Sequence, residues 1–293
     1  MRTIDEVMAQ PWNLDLPKAI QIETSSLCNA KCTFCPYEAT SQAFPKGNMS
    51  NELVVKILKE LAEFQPLLVA PYLNNEPLAD KRLLEFLRLI RRDMPKTFID
   101  ISTNGSALTE RIAQEITDPK LAIDEIKINF TTTNPEEYER IMGLNYQKTL
   151  TNVLKFVETA RRRGFHGGYR IIIVESVTPE QDRVFWQNHG IDVKVYTKIS
   201  RGGLIQTGHQ IKERVSGCKY DREKEWLHIL HTGEVILCCM DWKKQHILGD
   251  LRKSSIKEIW DSQEYRLIRN KISDSSDRGF ICNNCEWGKP YEK

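Results

Sequence analysis

From Ala19 to Tyr196, short apolar runs alternate with longer stretches whose apolar residues recur every three or four positions. The runs AIQIETS (19–25), PLLVAPYL (66–73), TFIDIST (97–103), DEIKINF (124–130), YRIIIVE (169–175) and IDVKVYT (191–197) read as strands. Between them, NELVVKILKELAEF (51–64), KRLLEFLRLIRR (81–92), SALTERIAQEIT (106–117), EEYERIMG with KTLTNVLKFVETARR, and PEQDRVFWQNHG (179–190) carry the period of core-facing helices. Six strand–helix units in series predict an α/β fold, a parallel sheet with helices outside it. A full barrel closes with eight such units, so these predict an open, partial (β/α)6 TIM-like barrel with its active face at the C-terminal strand ends.

After Thr197 the pattern breaks. KISRGGLIQTGHQIKERVSG carries four glycines and reads as a linker. WLHILHTGEVILC reads as a hairpin around His231-Thr232-Gly233, and SSIKEIWDSQEYRLIRNKI as one helix with Ser254 or Ser255 as its N-cap. The expected organisation is a barrel domain over 1–200 and a small cysteine-rich α+β extension over 201–293. There is no internal repeat and no low-complexity tract.

Charge narrows the partners. With 42 basic and 40 acidic residues the formal net charge is +2, which gives no whole-chain reason to expect nucleic acid or an anionic membrane. Arg161 to Arg163 end a predicted helix before Gly164, where cations stabilise the C-terminus. The N-terminus has no apolar core of a secretory signal, and no stretch approaches the 18 apolar residues of a membrane span. A cytoplasmic protein is expected, and there eight cysteines read as metal ligands or redox groups rather than disulfides.

Three of those cysteines, Cys28, Cys32 and Cys35, stand at C-x3-C-x2-C spacing in the loop after the first strand. Clustered thiolates suit zinc or an iron–sulfur cluster, and three are one too few to close a tetrahedral site. A 4Fe–4S cluster on this loop keeps one iron free of protein ligands. The spacing, with Phe34 at the aromatic slot, resembles the signature of the radical S-adenosylmethionine (SAM) enzymes, whose loop follows the first strand of a partial barrel of six units. The resemblance covers roughly residues 18 to 200. It implies that SAM chelates the open iron, that an external one-electron donor such as flavodoxin or ferredoxin reduces the cluster, and that SAM cleavage yields a 5′-deoxyadenosyl radical. It further implies SAM contacts from Asn74-Asn75-Glu76-Pro77, where the family has Gly-Gly-Glu-Pro, with Glu76 facing the methionine ammonium. Ser102 and Asn104 in Ser102-Thr103-Asn104-Gly105 match a second SAM-contacting stretch, and Asn129 is in place to reach the ribose.

The C-terminal third holds Cys218, Cys238, Cys239, Cys282 and Cys285. Cys238 follows Gly233 at G-x4-C spacing and Cys282 and Cys285 form a C-x2-C pair, an arrangement similar to the SPASM/twitch extension of many radical SAM barrels. Five cysteines fit the shorter, twitch form with one auxiliary 4Fe–4S cluster. Adjacent residues of a strand face opposite ways, so the expected ligands are Cys218, Cys238, Cys282 and Cys285. A structural zinc site on the same thiols is the alternative. Cys239 is left either as a small buried hydrophobe or as a catalytic thiol that returns a hydrogen atom to a substrate radical.

The resemblance implies an enzyme acting on a small polar substrate, sugar- or cyclitol-like, by oxidation or epimerisation, because peptide-modifying members commonly carry an N-terminal leader-binding domain and only 27 residues precede Cys28. A peptide substrate is the alternative, and a zinc-stabilised binding module, which leaves the three-cysteine loop unexplained, the remote one. No basic face with interleaved aromatics suggests RNA. Lys198, Arg201 and Asp241 are further candidates for substrate handling.

Overall fold

Each of the six apolar runs becomes a parallel strand, and each amphipathic stretch a helix laid against the sheet. The computed structural model describes residues 2–291 of the 293. The strands are β1 (Ala19–Ile22), β2 (Leu68–Ala70), β3 (Phe98–Thr103), β4 (Glu125–Asn129), β5 (Gly168–Val174) and β6 (Asp192–Tyr196), followed by β7 (Val215–Cys218), β8 (Trp226–Ile229), β9 (Glu234–Ile236), β10 (Ile247–Asp250) and β11 (Gly288–Pro290). The helices are α1 (Ile4–Met8), α2 (Tyr37–Thr40), α3 (Asn51–Phe64), α4 (Leu83–Asp93), α5 (Glu110–Ile116), α6 (Pro135–Met142), α7 (Tyr146–Arg162), α8 (Pro179–Asn188), α9 (Arg222–Glu225), α10 (Ile256–Trp260) and α11 (Gln263–Ser273). Ser50, Thr109, Asn134 and Asn145 each accept a backbone N–H as helix N-caps. The chain order β1 to β6 is also the spatial order, and the sheet is open.

The sheet does not end at the residue-200 boundary read from sequence. β8 lies parallel beside β1, with Ala19 opposite Trp226 and Gln21 opposite His228, and β9 and β10 follow antiparallel. The predicted hairpin is therefore part of one nine-stranded sheet, β10-β9-β8-β1-β2-β3-β4-β5-β6. The edge strand β10 extends the predicted hairpin by one strand that the sequence pattern does not predict. The single helix expected over 254–272 is two. Ser255 caps α10 in a capping box with Glu258, and extended Ser262 ends that helix and caps α11 by accepting from Tyr265 N. β7 and β11 form a separate two-stranded sheet that sets Cys218 opposite Gly288.

Strand alternation sorts the interior. Ile20, Ile22, Val69, Ile99, Ile101, Ile126, Ile128, Ile171 and Ile173 pack with the helices in the main core. On the concave face the floor of the barrel is apolar: Ala19, Leu68, Ala70, Phe98 and Trp226 form a second cluster, closed from below by Val7 of α1. Above that floor the concave face turns polar. Phe98 is fully buried in this small layer, so F98A should lower the unfolding free energy by about 3–5 kcal/mol, read as a fall in urea midpoint at unchanged slope. A loss below ~1 kcal/mol would show that the floor closes without it.

Candidate active site

The first cysteine group sits on the loop that leaves β1, and hydrogen bonds fix that loop from two sides. Lys31 N and Thr33 N donate to Met142 O and Ile141 O at the end of α6, both at 2.9 Å. Tyr37 Oη accepts from Cys28 N and donates to Ser26 O. Gly143 ends α6 at φ +64, where a Cβ would stand 2.8 Å from Lys31 Cβ, so the close approach needs glycine. Phe34 is buried in the main core and anchors the loop between Cys32 and Cys35.

The other residues expected at SAM converge on this loop. Glu76 is buried; its carboxylate accepts from Thr103 Oγ1 (2.6 Å), Asn104 N (2.7 Å) and Leu78 N (3.0 Å). It therefore ties the end of β2 to the end of β3, a structural task that the sequence reading did not foresee. Burial pushes its carboxyl above the usual range, against the pull of those three donors. Asn104 Nδ2 donates to Asn29 Oδ1 at 2.8 Å, joining the β3 loop to the cysteine loop. Asn129 Nδ2 donates to Ser102 Oγ at 3.0 Å.

The second group gathers Cys218, Cys238, Cys239, Cys282 and Cys285. The charges of Cys239, Cys282 and Cys285 all bear on Cys238, and those of Cys285 and Cys218 on Cys282. The alternation argument that separated Cys238 from Cys239 has no strand to rest on: β9 ends at Ile236, and both cysteines lie in the turn that follows. All eight cysteines are free thiols. Backbone N–H groups point at the sulfurs of Cys28, Cys35, Cys218, Cys238 and Cys285, as suits thiolate ligands. Burial pushes Cys28 up to about 12 and Cys285 up to about 11, and drives Cys32, Cys35, Cys218, Cys238 and Cys282 the same way. A bound metal reverses that order by supplying positive charge. Among the described residues no group of three or more His, Cys, Asp or Glu side chains is arranged to hold a metal ion. Partly buried thiol groups, three and five strong, suit clusters of several irons.

Above the apolar floor the concave face forms a polar lumen that the sequence motifs do not reveal. Asp100 Oδ2 accepts from Tyr72 Oη at 2.5 Å and Lys127 Nζ at 2.6 Å, and Arg170 pairs with Glu125 at 2.7 Å. Gln21 Oε1, Asp100 Oδ1, Glu125 Oε2 and both ring nitrogens of His228 are buried without a hydrogen-bond partner. The available signal was a polar residue set among apolar ones in several of the strands: Gln21, Asp100, Lys127, Arg170 and His228. Of the further candidates, Asp241 is committed to backbone, accepting from Gln245 N and His246 N. Lys198 pairs with Glu175, which accepts from Thr33 of the cysteine loop. Arg201 lies where its charge favours the Cys35 thiolate.

Known proteins share this architecture. The family model for the Radical SAM superfamily matches residues 22–185, and that for the SPASM iron–sulfur cluster-binding domain matches 218–286. The chain is 21% identical over 268 residues, 91% of either protein, to an S-adenosyl-L-methionine-dependent 2-deoxy-scyllo-inosamine dehydrogenase of Niallia circulans. It is 24% identical, over 86% of its own length and 83% of the other's, to a tungsten-containing aldehyde ferredoxin oxidoreductase cofactor-modifying protein of Pyrococcus furiosus. Among solved structures it is similar to BtrN in complex with AdoMet and 2-DOIA (TM-score 0.62, 18% identity, 92% of this chain and 93% of that one). It is also similar to Streptococcus suis SuiB bound to precursor peptide SuiA (TM-score 0.69, 14% identity, 90% and 71%). No helix among the described residues is long and apolar enough to cross a membrane.

G143A should displace the cysteine loop while costing only about 1–2 kcal/mol of stability for the left-handed backbone. The expected result is a several-fold loss of iron at the first site after anaerobic reconstitution, with a melting temperature lowered by only about 2–8 °C. Full iron content and normal SAM cleavage in that variant would show that the loop tolerates the shift.

Proposed function

The chain belongs to the radical SAM superfamily, and on that footing we propose that it removes hydrogen from a small polyhydroxylated substrate, sugar- or cyclitol-like, oxidising an alcohol carbon to a ketone. It is an enzyme whose cofactors are S-adenosylmethionine, the 4Fe–4S cluster that binds it and an auxiliary iron–sulfur cluster. Cys28, Cys32 and Cys35 would hold the first cluster and Cys218, Cys238, Cys282 and Cys285 the second. When bound, these groups supply a 5′-deoxyadenosyl radical to take one hydrogen atom and an acceptor for the electron that leaves as the alcohol proton is lost.

The observation that carries this reading is the polar lumen. Orphaned buried donors and acceptors each cost about 1–3 kcal/mol unless a partner arrives, and Gln21, Asp100, Glu125 and His228 present such atoms together. Burial and the Arg222 charge keep His228 neutral, so its ring offers one N–H and one bare nitrogen. A ring with several hydroxyl or amino groups matches that mixture; an apolar ligand would leave it unsatisfied. The N. circulans relative, covered almost end to end, is named for oxidation of such a ring. The likeness to a peptide-bound SuiB supports a peptide side chain as the second reading.

Reduced, reconstituted enzyme with SAM should form 5′-deoxyadenosine and convert a member of an aminocyclitol and sugar panel to a product two mass units lighter. Q21A should lower kcat/KM for that substrate ~10-fold, by loss of a buried hydrogen bond, while uncoupled SAM cleavage continues. C239A separates dehydrogenation from hydrogen return: product lost with cleavage retained assigns the thiol a catalytic role and favours epimerisation. No mass change across the panel, with modification of a peptide instead, would reject the small-molecule reading.

A further inference from the structure

Arg222 stands where the auxiliary thiols meet the barrel. It opens α9 four residues after Cys218. Its guanidinium is boxed by three rings, Trp226 at 5.0 Å, Trp287 at 5.1 Å and Tyr220 at 5.8 Å from their centroids. The box is built by the cysteine-bearing segments themselves: Lys219 N donates to Trp287 O at 2.7 Å, and Gly288 pairs with Cys218. Nε and Nη1 are buried and unpartnered, and among the described residues no carboxylate forms an ion pair with this side chain. The groups whose negative form bears on it are Cys239, Cys238, Cys218 and Tyr72.

Arginine does not shed its proton in a protein, and a buried cation without a counter-charge costs several kcal/mol. Stacked rings offset part of that, and they leave the charge without a fixed anion. The anion has to come from the neighbouring thiols, which carry it only when a metal centre holds them deprotonated. We propose that Arg222 is the counter-charge of the auxiliary iron–sulfur cluster and holds its reduction potential up, so that it accepts an electron readily. This rests on reading the second cysteine group as the auxiliary-cluster site. A cluster with four thiolates carries two negative charges when oxidised and three when reduced. A fixed, largely enclosed cation therefore favours the reduced form over the oxidised one. The aromatic box encloses Nε and Nη1 on the cluster side, and Arg222 becomes a positioning and tuning residue rather than one that touches substrate.

The test is a redox titration followed by electron paramagnetic resonance. It uses the full chain with Cys28, Cys32 and Cys35 replaced by alanine, so that only the auxiliary signal is read. R222M should shift the one-electron equilibrium at least tenfold toward the oxidised form, a fall in midpoint of about 59 mV or more, and R222K should keep most of the parent value. If R222M loses iron while R222K retains it near the parent potential, the counter-charge role is supported through assembly instead. A fully loaded R222M with the parent's midpoint overturns the proposal, as does loss of iron from both variants alike, which would make the guanidinium a packing element. If the parent's C-terminal site holds no iron, the cluster reading itself fails, and that failure is visible before any Arg222 variant is made.

Discussion

A buried ion pair inside the barrel, Lys127 to Asp100 at 2.6 Å, is the constraint on which the rest depends. Both charges are deep, and isolated ions there would cost far more than the fold could offset. They are tolerated because Tyr72 donates to the same carboxylate and because Glu125 and Arg170 form a second pair on the adjacent strands. Burial works against the Lys127 ammonium, and the Asp100 carboxylate and Tyr72 more than reverse that, so its pKa ends above the usual lysine value. A parallel sheet that carries charges on its concave face must cover its other face thoroughly. The continuous layer of isoleucine and valine against α3, α4 and α7 does that.

With the lumen polar and the floor apolar, chemistry is confined to the upper rim. There the loops after β1, β2 and β3 form one hydrogen-bonded unit: Glu76 binds the β3 loop, Asn104 binds Asn29, and Glu76 N donates to Leu27 O. The cysteine loop is thus held by backbone on α6 and by side chains from two neighbouring strand ends. Such over-determination would suit three thiolates holding a cluster in the proposed role. Where the family has two glycines, Asn75 Oδ1 accepts from Leu73 N and Asn74 N donates to Glu23, while Asn74 Oδ1 and Asn75 Nδ2 are buried without a partner.

The fold was legible because each strand and helix of the barrel announces itself by period. α3 begins and ends where its apolar spacing predicted, and β3 to β6 differ from prediction by a residue or two at either end. β2 is shorter than its apolar run because Pro71 offers no N–H to the ladder. What could not be read was long-range: nothing local to WLHIL says that it pairs with β1, 200 residues earlier in the chain. The break between α10 and α11 was misread because one serine can cap a helix or sit inside one, and only the extended backbone of Ser262 decides. The cysteine groups were legible from spacing. The lumen was not, because a single Asp or Lys within an apolar run looks like an exposed residue of a half-buried strand until both faces are known to be covered.

The pairing of β8 with β1 bears on how the two thiol groups are held relative to each other. Cys28 follows β1 by six residues, and Arg222 precedes β8 by four. The loop of the first group and the segment that lines the second therefore leave from neighbouring, hydrogen-bonded strands of one sheet rather than from two bodies joined by a linker. Gln21 and His228, opposite each other in that pairing, both present orphaned atoms to the lumen. Electron transfer falls steeply with distance, so a spacing set by a sheet is preferable to one set by the glycine-bearing stretch over 198–217. That stretch need only close the chain. The register between β1 and β8 fixes the geometry, and a slip of one residue would turn His228 out of the lumen and Leu227 into it.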